Sequence, residues 1–357
     1  MARLLPSFMK KKRALTPAQI KQYNDSVAAA QGFLPAEQQN VALAAADPEL
    51  EAALAAVAEG EWASAARLLA ATGDDWDRRS LYVHHFGEAA GKGDAWLAAW
   101  HAARPSDPDA AVVQARATVE RAWQVRGVQR GADTSSEQAQ GFHQVLELSQ
   151  QQIVRAAELN PRDPTPYVPE VWTALGLGYT HDEMLRLWSK ITDRSPRHFD
   201  AHSAALQYWC AKWRGSEELA REFAAKAAAE APAGSLLTAL PLMAWHEHHR
   251  ADATPEDYAA PQIMALVDAA LRDADAAAKA PTPHPRLPNL RHLLAFFLAK
   301  QERYVEALEQ FRLVDGYVAA LPWRYFPDPA KAFCVFRGLA TSTLHAESFT
   351  NGTAARP

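Results

Sequence analysis

The sequence predicts an all-α protein, an α-solenoid of stacked helix pairs, and three observations carry that prediction. Strand signals are nearly absent, because the β-branched residues are scattered and no apolar/polar alternation runs for a strand's length between turn residues. Thr16-Pro17, Asp47-Pro48, Asp107-Pro108, Thr254-Pro255 and Asp328-Pro329 each put a capping oxygen before a proline at a first helical position, where its missing N–H costs nothing. Pro161, Pro196 and Pro232 follow one another at 35 and 36 residues, about the length of a two-helix repeat.

Each element follows from local chemistry. Apolar residues recur at helical spacing between these starts, as in Leu50, Leu54 and Val57 and again in Leu293, Leu294, Phe297 and Leu298. Gly60, Gly73, Gly91-Lys92-Gly93, Asn160-Pro161, Ser195-Pro196 and Gly215 punctuate the chain as helix connectors. With 357 residues, 48% of them hydrophobic and many of those alanine, the chain suits close helix stacking in an open array better than one round core. The polar stretch 129–141 stretches the Pro105-to-Pro161 interval to 56 residues and interrupts the period. It is expected either as a loose connector or as the end of two long helices.

Trp172, Leu175, Gly176 and Tyr179 reproduce the W-x2-L-G-x2-Y pattern of the first helix of a tetratricopeptide (TPR) unit, in which the glycine admits a partner helix. Ala295 with Tyr304, Ala307 and Phe311 resembles such a pair near the C-terminus, and Gly60, Trp62, Ala65 and Leu69 form a weaker match. Asp182 to Asp193 lacks the small residue of a TPR second helix, so the repeats are degenerate. The division expected is a basic segment and leading helix over 1–40, a TPR-like repeat domain over 41–343 and a flexible tail over 344–357. Trp100 to Pro105, Ala122-Trp123, Arg126-Gly127, Ala156 to Pro161 and Trp213 to Ser216 are similar to a bacterial TPR-like family known only as a domain of unknown function. That resemblance implies a fold and brings no reaction with it.

Composition removes several function classes. Lys plus Arg is 37 against 42 for Asp plus Glu, a formal charge of −5, so no broad basic surface awaits nucleic acid; Lys10 to Arg13 is the one concentrated basic run. Cys210 and Cys334 lack the CxxC or CxxH spacing of redox or zinc sites and read as buried, reduced thiols. No segment has the length of a membrane span or the order of a secretory signal, and a cytoplasmic protein is expected.

The candidate residues point first to a non-catalytic binding or scaffold protein that holds a protein or peptide partner on a concave helical surface. No G-x-S-x-G elbow and no phosphate loop is present, and no catalytic residue is assigned. Arg121, Arg126 and Arg130, one turn or so apart on an extended helix, with Trp100 and Arg104, form the expected partner site. The first-helix positions Thr173, Leu177, His292 and Phe296 carry no cation and argue against a carboxylate clamp. A second reading is a metal-dependent enzyme or divalent-metal binder using His84, His85 and Glu88, since residues three and four apart share a helix face. His246-Glu247-His248-His249-Arg250 fails as a zincin motif, because Arg250 stands where the second ligand belongs. A third reading is a self-associating module that pairs through exposed repeat ends.

Overall fold

All five capping-oxygen and proline pairs begin helices. Thr16 Oγ1 and Asp47 Oδ1 accept from the amides of Gln19 and Leu50, Thr254 closes a reciprocal box with Asp257, Asp107 Oδ1 accepts from Asp109 N, and Asp328 Oδ1 accepts from Lys331 N. A computed structural model describes residues 16–126 and 136–353. The α-helices run α1 Pro17–Ala30, α2 Pro48–Ala58, α3 Ala63–Ala71, α4 Trp76–Lys92, α5 Ala95–Ala103, α6 Pro108–Arg126, α7 Ser136–Leu159, α8 Tyr167–Leu177 and α9 His181–Thr192. They continue as α10 Phe199–Trp209, α11 Glu217–Ala229, α12 Leu240–His249, α13 Pro255–Tyr258, α14 Pro261–Ala278, α15 Leu287–Lys300, α16 Tyr304–Val314 and α17 Pro329–Thr353. Among the described residues there is no strand, and no helix is long and apolar enough to cross a membrane.

The periodic prolines separate helix hairpins, as the sequence predicts. Pro161 precedes the α8/α9 pair, Pro196 the α10/α11 pair, and Pro232 follows α11. Gly176 lies where α8 crosses α7, and a Cβ there would overlap Leu146 Cδ1 and Phe142 Cζ, so the missing side chain sets the close approach. Of the 129–141 interruption, residues 136–141 belong to α7, whose 24 residues pack along the 19 of α6, and 129–135 lie outside the described residues.

The first and last described helices meet, which the sequence reading of an open array does not include. Helix α1 packs on α17, and the backbone of residues 40–43 pairs with residues 316–319 through Asn40 N to Gly316 O at 2.7 Å and Val318 N to Asn40 O at 2.8 Å. The Asp315 carboxylate accepts from Leu34 N at 2.8 Å and Gln39 Nε2 at 3.1 Å and pairs with Arg337. Residues 16–40 carry the leading helix α1 and are bound to the last helices. The final helix also runs on through 344 to Thr353, where a tail was expected. The apolar core divides into one body built mainly from α2 to α6, one from α10 to α17, a smaller one from α8 to α10 and a fourth around Ala122, Phe142 and Leu146 on α6 and α7, with a cleft beside them.

Candidate ligand-binding cleft

The cleft has a volume of about 600 Å³, within the range of small-ligand sites, and is walled by α4, α6, α8, α10 and the 319–325 loop. Helix α8 presents Val168, Pro169 and Trp172, positions three and four apart on one face. Trp172 and Trp213 both stand nearly perpendicular to Trp123, at ring centroid distances of 6.0 and 5.4 Å. The three indoles form an apolar wall with the edge-to-face geometry that aromatic quadrupoles favour.

Beside that wall the lining is polar, with Arg116 and Glu120 on the same face of α6 as Trp123. Arg116 reaches across α4 because residue 87 is glycine; a Cβ there would overlap Arg116 Cγ. Arg116 Nη2 donates to His84 Nδ1 and to Glu120 Oε2, both at 3.0 Å. His84 Nε2 faces Glu88 Oε1 at 3.4 Å, and Arg324 Nη2 approaches the same oxygen at 3.6 Å. Burial pushes the His84 imidazole well below its ordinary pKa, with Arg116 adding to the effect and Glu88 opposing it, so the ring is neutral at pH 7. Burial raises the Glu88 carboxyl, but His84, His85 and Arg324 around it outweigh that and hold it well below the usual carboxylate range. Deeper in, Arg286 pairs with Asp200 at 2.7 Å and Lys212 with Glu247 at 2.7 Å, and Glu247 also accepts from Gln207 and Tyr325.

This arrangement decides how well His84, His85 and Glu88 suit a divalent metal. Their ligand atoms lie within 4.8 Å of one another, so spacing alone is adequate. The tautomer is not. Arg116 donates to Nδ1, which leaves the single proton of a neutral His84 on Nε2, aimed at Glu88. A metal needs a free nitrogen lone pair, and here the Nδ1 lone pair is taken by the Arg116 N–H while Nε2 carries the proton. With Arg116 and Arg324 also adding positive charge, the donor set fits an ion-paired network better than a cation site.

The other predicted residues scatter. Trp100 is fully buried, stacked on Trp62 and donating to Asp107, so it belongs to the core and offers nothing to a partner. Arg104 lies over Trp62 and near Asp107, with its side chain 58% exposed and turned away from the cleft lining. Arg121 and Arg126 do not form a stripe: five residues turn a helix by about 140°, and Arg121 pairs with Asp94 while Arg126 lies over Trp123 and Trp213. Arg130 lies outside the described residues. Thr173, His292 and Phe296 are buried, so they are core positions, and their lack of charge says nothing about the inner surface.

The cleft's own residues were read from the sequence only in part. The sequence singles out His84 and Glu88, but as metal ligands, and Trp172 and Trp213 only as repeat-pattern and family-resemblance positions. Arg116, Arg286 and Arg324 come from three distant segments, and no local spacing links them. Comparison with protein-family models, with curated proteins and with solved structures finds no match.

Proposed function

We propose that this chain is a non-catalytic binding protein, a TPR-like helical repeat whose cleft holds a segment of a protein or peptide partner. The observation that carries the reading is the cleft, where an indole cluster adjoins hydrogen-bonding side chains in a volume suited to a few side chains. The TPR-like relationship is supported by the Trp172-to-Tyr179 pattern on α8 and by consecutive hairpins at the periodic prolines. Reaction chemistry has less support: Cys210 is buried, with its thiol pushed up to about 12 by burial, and the cleft's histidine is held between a guanidinium and a carboxylate. Self-association through repeat ends has less support too, because α1 and α17 cover each other.

Filling the cleft tests the reading. Ala319 lines it from a loop, so Ala319→Trp occupies its volume with little demand on any helix. A partner captured by the wild-type protein from its native cell, identified and re-purified, should lose at least tenfold in affinity for this variant while the melting temperature moves by a few degrees at most. Unchanged affinity would place the partner surface elsewhere.

A further inference from the structure

The cleft has an apolar side chamber. It holds about 150 Å³, and Asp200, Ser203, Met243, Arg286, Asn289 and Leu321 line both it and the cleft, which makes them its mouth. Phe199, Ala239, Leu290 and Leu293 line the chamber alone and form its floor. All four floor residues are buried, yet they border unfilled space. An apolar chamber of this volume holds a group of about six carbons. While it stays unfilled, its walls forgo the dispersion contacts that such a group supplies.

The mouth sets the chemistry. Arg286 pairs with Asp200 at 2.7 Å, and Asp200 also accepts from Ser80 Oγ at 2.8 Å, so the two charges answer each other and offer a charged group no free counter-ion. An uncharged, apolar occupant is favoured. The Ser203 hydroxyl is enclosed. Asn289 differs: its side-chain amide makes no hydrogen bond with the described residues and is not among the enclosed atoms, so its N–H and C=O groups are both within reach of a ligand. A primary amide with both groups free accepts from a peptide N–H and donates to a peptide carbonyl. Main-chain hydrogen bonds beside a side-chain pocket are a general way of holding an extended segment.

We propose that the chamber anchors one residue of the partner segment, a leucine-sized aliphatic side chain filling it while the Asn289 amide holds that residue's backbone. The inference rests on the reading of the cleft as the binding site, and it adds the class of residue that the site selects.

The minimal probe is acetyl-leucine methylamide, one leucine with a peptide group on either side, compared with acetyl-alanine methylamide and isoamyl alcohol. The NMR methyl signal of Met243, assigned by its loss in Met243→Leu, reports on the mouth of the chamber. The expected result is a saturable shift with the leucine probe, at least tenfold weaker in affinity for the alanine probe and for Ala239→Leu, which fills the chamber from its floor. Asn289→Ala should weaken the leucine probe several-fold and leave isoamyl alcohol, which has the branched chain without the peptide groups, unaffected. Equal binding of the leucine and alanine probes, or no shift with either, overturns the anchor; both are read on the wild-type chain and so do not depend on a variant folding. Isoamyl alcohol binding as tightly as the leucine probe overturns the backbone contact and makes the chamber a site for a small apolar molecule. A captured partner that loses affinity for Ala319→Trp but not for Ala239→Leu leaves the cleft as the binding site and overturns the anchor.

Discussion

Gly87 has a small side chain with a large positional effect. In a helix interior, glycine to alanine ordinarily gains about 1 kcal/mol, yet here the new Cβ meets Arg116 Cγ, with Arg116 Cβ only 3.0 Å away. Overpacking of this kind costs about 1–3 kcal/mol, so Gly87→Ala is expected to lower the melting temperature and to displace Arg116 from His84. Thermal unfolding followed by circular dichroism checks the first, and the NMR shifts of the His84 ring nitrogens the second. His292 and His246 set a pH dependence at the same scale. Burial lowers both to about 4 from an ordinary 6.5, although the Ala44 carbonyl opposes the shift at His292 and Glu247 opposes it at His246. Between those values the unfolded chain binds more protons than the folded one, so stability rises with pH across the window and is lost as pH falls from 6.5 toward 4. At about 1.4 kcal/mol per unit, each of these buried rings costs about 2 kcal/mol at pH 5 relative to pH 7. Urea unfolding at the two pH values should show the loss, and His292→Gln should remove one proton's share of the slope.

Between elements, a buried ion-pair junction joins parts that the cleft requires in register. Arg79 on α4 donates to Asp163, in the loop before α8, at 2.6 Å and pairs with Asp109 at the start of α6 at 2.7 Å, with almost no exposure at Arg79 or Asp163. Removing the guanidinium strands Asp163 in the interior, and breaking a buried pair from one side costs about 3–5 kcal/mol. Arg79→Met is therefore expected to destabilise the protein by that amount in denaturant titration. Arg162→Ala, which removes an ion pair to Asp74 exposed on both sides, should change stability by less than about 1 kcal/mol. The contrast separates junctions that set the cleft walls from charges that decorate the outside.

At the scale of the whole molecule, contact between α1 and α17 and between residues 40–43 and 316–319 places the 319–325 loop along the cleft. Asp315 is the centre of that contact, accepting from residues 34 and 39 while pairing with Arg337, which is itself buried. Asp315→Ala leaves Arg337 without its counter-charge, and the join is expected to open before the hairpins unfold. Hydrogen exchange should then accelerate at least tenfold at the amides of Asn40, Val318 and Ala319, which bridge the join, and remain unchanged in α8 and α9. Uniform acceleration across all helices would show that the join and the hairpins are one cooperative unit.

Helical class and the five capped starts are legible in the sequence because each depends on residues within a turn or two of one another, and the hairpins at Pro161, Pro196 and Pro232 because their period repeats along the chain; that Gly176 meets α7 through Phe142 and Leu146 is decided by tertiary packing. The Trp172 and His84 positions were legible as unusual but not in their roles. Whether Trp172 faces a cleft, whether Trp100 faces the core, and which nitrogen of His84 carries a proton depend on neighbours far away in sequence. Tertiary structure alone brought Arg116, Arg286 and Arg324 to one cavity and joined residue 40 to residue 317. The physical reason is that helix formation follows local hydrogen bonding and side-chain periodicity, whereas the cleft is a product of how the hairpins pack and where the first and last described helices meet.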